Sequence, residues 1–325
     1  MEHEKRLKKS LGNKGLMDML EEIIVPASDR TVLYMYCWRA ENPRAVVLLA
    51  HGMTEHSMRY DKLGRFLAQQ GISLYCHDQR GHGKTAAGRL GYLRKGVDWN
   101  MMINDLFTIR KKVIDEEVDC PIFLMGHSMG SFLVRRTVQL RPSMFDGLIL
   151  SGTGDGQGAA GRLALQIVTA ACFFMGQEHY SPKIKKMLFG GFNRGIANPQ
   201  SEFDWLTRDR EVVNRYLEDD WCGFLCSNGF YHELLQGIQL ANAPHNIAGM
   251  RKDMPVYLFS GDCDPVGSMG KGVQHVRNLF LDAGLQDVTM ELYAGGRHEM
   301  LNELNYDIVM DDLLQWLNHK IDAMQ

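Results

Sequence analysis

The sequence predicts an α/β fold: a mostly parallel sheet flanked by helices, interrupted by one helical insertion. Three observations predict it. Continuous apolar runs such as "RAVVLLAHG", "PIFLMGHSMG" and "MPVYLFSG" read as strands buried on both faces. Helical patterns alternate with them. The alternation then fails between about 152 and 250, where helical stretches, glycines and aromatics occur without a clear buried strand.

In chain order, the charged first twenty residues read as helical or loose. "EEIIVPA" and "TVLYMYCW" read as two antiparallel strands joined by the turn "SDR". After the strand "RAVVLLAHG" comes the periodic stretch "RYDKLGRFLAQQG", a helix with a glycine stop. "ISLYCHDQRGHG" is a strand running into a loop. "DWNMMINDLFTIRKKVIDEE" is a long amphipathic helix opening at Asp98, a capping residue type. "PIFLMGHSMG" is a strand, "SFLVRRTVQLRP" a helix closed by Pro142, and "DGLILSG" a strand. The rhythm resumes with "MPVYLFSG", a helix over about 269–283, the strand "VTMELYAGG" and a last helix over about 302–319. Residues 1–151 and 251–325 thus form the core, and 152–250 the insertion.

The chain has 325 residues, 45% hydrophobic and 23% charged, which is ample for a sizeable core. A net charge of −3 gives no bulk electrostatic case for nucleic acid or an anionic membrane as partner. Seven scattered cysteines and an N-terminus, "MEHEKRLKKS", without an apolar stretch behind its charges point to reduced thiols and a cytoplasmic setting. The stretch nearest to a membrane span, "RLALQIVTAACFFMG" (162–176), is short and carries Gln166 and Thr169. A buried or interfacial helix suits it better.

Residues 126–130, "GHSMG", match G-x-S-x-G between a buried strand and an apolar helix. That context distinguishes the motif from an ordinary glycine-rich turn. A sharp strand-to-helix turn exposes the Ser128 hydroxyl, and Gly126 and Gly130 remove side chains that would clash across it. The N–H of Met129, at the helix start, can then stabilise an oxyanion. A serine hydroxyl needs a histidine base, and the histidine needs an orienting acid. In a parallel sheet both belong in loops after later strands. "LYAGGRHEM" supplies His298 after the last strand, and "FSGDCDPVG" supplies Asp262 and Asp264 after the strand before it. The order Ser, Asp, His follows.

"AHGMTEHSMRY", "CHDQRGHGKT", "GHSMG", "SGDCDPVG" and "GGRHEMLNE" together resemble the monoglyceride lipase and bacterial lysophospholipase group of the α/β-hydrolase fold. The likeness runs from about residue 20 to 318. It implies Ser128 as nucleophile, His298 as base and an aspartate of "FSGDCDPVG" as acid. It also implies the Met53 N–H as second oxyanion donor. Such enzymes usually carry a small residue at position 53 and glycine at 58. Methionine at both is a departure that bears on the substrate pocket near the acyl carbon, so Met58 joins the candidate substrate-binding residues. The family's spacing, a glycine, two variable residues, then the acid and often Pro-Val, assigns Gly261 to the glycine and Asp264 to the acid. Asp262 then caps the turn. A calcium loop is a poor fit, because Val266 and Val273 would occupy ligand positions.

Other features read as structural. "GTGDGQGA" (152–159) mimics a dinucleotide fingerprint but lacks the second strand and acid of a Rossmann unit. Glu55 and Arg59 are placed to brace the oxyanion loop, and "DQRGHG" (78–83) is a structural loop. Cys222, Cys226 and His232 have spacing that suggests zinc, yet without a fourth ligand they read as core residues.

The insertion holds 12 of the 30 aromatic residues, among them Phe173, Phe174, Phe189, Phe192, Trp205, Trp221 and Phe224. Most should fill a small core of its own. In lipases of this type such a cap lines an apolar tunnel, so Phe173, Phe174, Trp221 and Phe224 are candidate acyl-chain contacts. The helix at 163–175 would present an apolar face at the mouth. The sequence therefore predicts a serine ester hydrolase cleaving a lipid monoester of monoacylglycerol or lysophospholipid type. It needs neither metal nor organic cofactor, its partner is a small acyl ester or lipid, and it touches membranes at most transiently through the cap. The alternatives are a small-ester carboxylesterase, an aminopeptidase using Glu218, Asp219 or Asp220 to hold an ammonium, and a non-catalytic ligand-binding member of the fold.

Overall fold

Strands β1 (Leu20–Pro26) and β2 (Val32–Trp38) pair antiparallel, with Ile23 opposite Met35. β2 then pairs antiparallel with β4 (Ile72–His77), and every later pairing is parallel. With β3 (Ala45–Ala50), β5 (Ile122–His127), β6 (Gly147–Ser151), β7 (Val256–Gly261) and β8 (Val288–Tyr293), the eight-stranded order is β1-β2-β4-β3-β5-β6-β7-β8. The computed structural model describes residues 19–117 and 119–324. The charged stretch up to residue 18, expected to be helical or loose, lies outside them.

The double-sided burial read from the sequence is visible in β3. Val46, Leu48 and Ala50 enter a core on one face of the sheet, and Ala45, Val47 and Leu49 enter a core on the other. Helix α1 (Asp61–Gln69) contributes Leu63 and Leu67 to the second core. α2 (Trp99–Glu116) and α3 (Met129–Leu140) cover the first. Asp98 caps α2 as expected, its carboxylate accepting from Met101 N at 2.8 Å, a contact worth roughly 1 kcal/mol.

Between β6 and β7 the chain forms α4 (Gly158–Met175), α5 (Pro182–Phe189), α6 (Arg210–Glu218), α7 (Asn228–Asn242) and α8 (Pro244–Ile247). These helices share more of the main core than the sequence suggested. α7 packs on α3 and α4, and its Phe230, Tyr231, Leu234 and Leu235 join the core beneath. Only Phe203, Leu206, Val213, Tyr216 and Cys222 make a separate small cluster. α9 (Lys271–Asp282) and α10 (Tyr306–Asp322) complete the fold. The last helix starts four residues later than expected, because Met300–Asn302 forms a short 3-10 turn.

Helix α4 differs from its sequence expectation as well. It is 18 residues long with mean hydropathy 1.4, long and apolar enough to cross a membrane, and only 6% of it is buried. Of the two readings for this stretch, burial is excluded. Leu163, Ile167, Phe173, Phe174 and Met175 are exposed along it.

Candidate active site

The parallel strands β3, β5, β7 and β8 deliver their following loops to one edge of the sheet, and each loop carries one part of the site. Strand β5 ends at His127, and Ser128 adopts φ 50°, ψ −118° before α3 begins. A serine held at positive φ is strained. The two glycines make the turn sterically possible. A Cβ on Gly126 would lie 2.4 Å from Gly130 O, and one on Gly130 would lie 2.0 Å from Ala50 O. Ser131 Oγ donates to Ser128 O at 2.6 Å and locks the first turn.

Strand β7 delivers "FSGDCDPVG", whose two aspartates part company. Asp264 is fully buried, and both its oxygens lie 3.0 Å from His298 Nδ1. Ser260 Oγ and Val266 N also donate to it, each at 2.8 Å. Burial works against its charge, but His298 and these donors outweigh that and hold the carboxyl below its usual pKa. Asp262 is exposed and accepts from Gly295 N at 2.7 Å, tying the β7 loop to the β8 loop. Cys263 is exposed beside it.

His298 is 1% exposed. Burial alone would lower its pKa, yet Asp264 reverses the sign and raises it. The Asp264 contact occupies Nδ1, and Nε2 has no hydrogen-bond partner among the described residues. The ring packs between His127, with centroids 4.8 Å apart, and Trp205, at 4.9 Å. His127 is itself kept neutral by burial, its pKa pulled down to about 4.

The loop after β3 is held by the loop after β4. Gln79 N donates to His51 Nε2 at 3.0 Å, and Thr54 N donates to His82 Nε2 at 3.1 Å. Burial keeps both imidazoles neutral, at about 4 for His51 and about 3 for His82, so each can accept. "DQRGHG" is thus a buttress, in accord with its structural reading. Glu55 accepts from Gly52 N and from Tyr60 OH, and Arg59 links Glu55 to Glu299 through contacts of 2.6 to 2.7 Å. The expected brace therefore extends to the residue after His298. Sequence reasoning missed Glu299; the available signal was a second charge inside the otherwise buried "RHEML". The N–H groups of Met53 and Met129 make no hydrogen bond among the described residues, apart from any inside α3 itself.

Ser128, His298, Met53 and Met129 all line one cavity of about 550 Å³. Its walls include Phe132, Ala164, Phe189, Phe192, Phe224 and Leu235. Of the candidate acyl-chain contacts, Phe224 lines this cavity. The other candidate contacts are corrected. Met58 lies in the 3-10 turn Ser57–Tyr60 and packs into the second core, away from the cavity. Phe173 and Phe174 are 82% and 81% exposed and pair edge-to-face with each other on the outside of α4. Trp221 packs edge-on against His56 instead. Helical spacing and aromatic content could not say which face of α4 meets the cavity.

A family model described as serine aminopeptidase, S33, matches residues 41–305. The chain belongs to this family, Hydrolase_4. A monoglyceride lipase homolog of monkeypox virus is 32% identical over 301 residues, covering 89% of this chain and 95% of that one. Rat monoglyceride lipase is 26% identical over 295 residues, covering 89% and 88%. Among solved structures, a thermostable carboxyl esterase from Bacillus coagulans superposes with TM-score 0.87 at 27% identity, over 93% of this chain and 99% of that one. The Hydrolase_4 chain is a hydrolase with the α/β-hydrolase fold, as the motifs implied.

Proposed function

We propose that the protein is a serine ester hydrolase that cleaves a lipid monoester through an acyl-enzyme on Ser128. The observation that carries this reading is the buried Asp264–His298 pair, whose histidine shares an apolar-walled cavity with Ser128. With Nδ1 committed to Asp264, His298 Nε2 is the base that takes the Ser128 proton as Oγ attacks the ester carbonyl. The Met53 and Met129 N–H groups hold the oxyanion. His298 then protonates the departing alcohol, and afterwards activates water to release the acid. Asp264 stabilises the imidazolium formed on the way. None of these steps calls for a metal or organic cofactor.

In this reading residues 152–250 act as a cap whose α4, α5 and α7 close an acyl-chain tunnel over the serine. The names of the relatives, and a phospholipase of Bacillus subtilis 28% identical over 211 residues, support a lipid monoester. The exposed apolar residues of α4 suit transient contact with a membrane surface. The seven cysteines are all unpaired, which supports a reducing, cytoplasmic setting.

The aminopeptidase alternative fares worse on a specific observation. The acids lining the cavity are Glu55, Glu202 and Glu299. Glu55 and Glu299 are occupied by Arg59, and Glu202 pairs with Lys185 at 3.0 Å. Asp219 is bound to His56, and Glu218 and Asp220 are exposed outside the lining. No cavity carboxylate is free for a substrate ammonium among the described residues.

The test is fluorophosphonate labelling with Ser128→Ala as control, followed by monoacylglycerols of increasing chain length, lysophospholipids and aminoacyl anilides side by side. Labelling confined to the serine form and preference for long acyl esters are expected. Absence of labelling in folded protein contradicts the enzyme; preference for acetyl esters or anilides contradicts the substrate class.

A further inference from the structure

Outside the cavity, the described residues bring one histidine, one aspartate and one cysteine together. Ligating atoms of His56, Asp219 and Cys222 all lie within 4.8 Å of one another. They come from two pieces of chain. His56 belongs to the loop after β3, and Asp219 and Cys222 follow α6 in the insertion. The zinc-like spacing of Cys222, Cys226 and His232 in sequence is not what assembles here, since Cys226 lies in the core beside Tyr231.

We propose that His56, Asp219 and Cys222 bind a zinc-class divalent cation, with water as the fourth ligand. Imidazole, carboxylate and thiolate are together a zinc donor set, and three protein ligands leave an open position. Cys222 Sγ, within 4.8 Å of the other two ligand atoms, needs to close by at most about 1.2 Å, and the histidine and aspartate move less. His56 Nε2 is 2.8 Å from Asp219 Oδ2. Tetrahedral bonds of about 2.0–2.1 Å require an edge of roughly 3.3 Å, so the pair opens by only ~0.5 Å. His56 Nδ1 is buried without a partner, so no hydrogen bond behind the ring opposes its turning toward the ion.

Charge and access agree with a divalent ion. Arg59 is matched by Glu55 and Glu299, one positive against two negative, and Asp219 adds a further negative charge. The Asp219 side chain is 36% exposed and gives a path from solvent. Cys222 is buried, and in the metal-free protein burial keeps it a thiol. Binding therefore forms the S–metal bond as the thiol proton leaves to solvent, and His56 coordinates as the neutral imidazole. The site lies on a seam, because Gly223 N and Tyr216 OH both donate to Thr54 O, at 3.0 and 2.7 Å. An ion there would fasten the Met53 loop to the insertion.

The experiment is titration of the chelator-treated full chain with Co²⁺ and then Zn²⁺, with no substrate present, so its outcome is independent of the proposed ester chemistry. One equivalent of Co²⁺ should give thiolate-to-cobalt absorption in the near ultraviolet, and Zn²⁺ should displace it with proton release. The band should persist in Cys263→Ser and vanish in Cys222→Ser. Asp219→Asn and His56→Gln should weaken binding by about tenfold or more, since even outer-shell losses weaken metal sites 10–100-fold. Circular dichroism checks that each variant is folded. If Cys222→Ser does not fold, Asp219→Asn decides. Absence of the thiolate band, or affinity unchanged in folded Cys222→Ser or Asp219→Asn, overturns the site.

Discussion

The sheet core and the insertion solve different problems with a similar proportion of apolar residues. In the core the proposed catalytic groups follow strands of one sheet: Ser128 and Asp264 follow β5 and β7, which are buried on both faces, and backbone sterics fix the serine turn. In the insertion, α7 is built into the core while α4 leaves Phe173, Phe174 and Met175 in solvent. Precision is therefore concentrated in a few turns, and the apolar face of α4 is free to vary without disturbing them. One buried residue spans both regions. Arg135 on α3 donates to Gly154 O and to Asn242 Oδ1, at 3.0 and 2.7 Å, and so ties down the two ends of the insertion.

The serine turn should be the most sensitive point of the core. Gly130→Ala places a Cβ 2.0 Å from a backbone oxygen that a side-chain rotation cannot relieve. We expect a loss of about 3 kcal/mol or more in urea denaturation, at the upper end for overpacked sites, together with loss of labelling at Ser128. Arg135→Met should come next. It removes a guanidinium whose acceptors are uncharged and, except for the half-buried Asn242, buried, and should cost about 2–3 kcal/mol by the same measurement. A loss below about 0.5 kcal/mol would show that the insertion does not depend on this tie. Phe174→Ser should be smallest, within about 0.5 kcal/mol, because the side chain is 81% exposed. A large loss there would mean that α4 packs against something in solution.

The buried Asp264–His298 pair should also set a pH dependence. In the proposed mechanism His298 must be neutral to act as base, and Asp264 raises its pKa above the ordinary 6.5. The acid limb of kcat/KM should therefore lie above pH 6.5, with activity rising as pH climbs through that raised value. For stability the sign is opposite. The raised pKa contributes fully below about 6.5 and is lost as pH rises through the folded value. Removing the Asp264 charge should move the acid limb downward in whatever activity remains.

The same contrast explains what the sequence allowed one to read. β3, β5 and β7 were legible because burial on both faces leaves an uninterrupted apolar run. Ser128 and His298 were legible because a parallel sheet presents its loops at one edge. Asp264 could be separated from Asp262 only through family spacing, and its burial supplies the physical distinction. The insertion was harder. Aromatic content said that something apolar is covered, but not which face of α4 turns inward. Phe173 and Phe174 face outward, while Trp221 packs on His56 and Met58 in the second core, placements that no periodicity encodes; Phe189, Phe192, Trp205 and Phe224 line the cavity. Arg135 and Glu299 act through contacts between distant segments, which local periodicity does not encode.

The most direct test of the proposed triad compares Asp264→Asn with Asp262→Asn in turnover of a long-chain monoacylglycerol. Asp264→Asn should lower kcat on the order of 10⁴-fold, by leaving His298 in the wrong tautomer, while Asp262→Asn retains most activity. Loss of turnover in Asp262→Asn with Asp264→Asn still active would contradict the account.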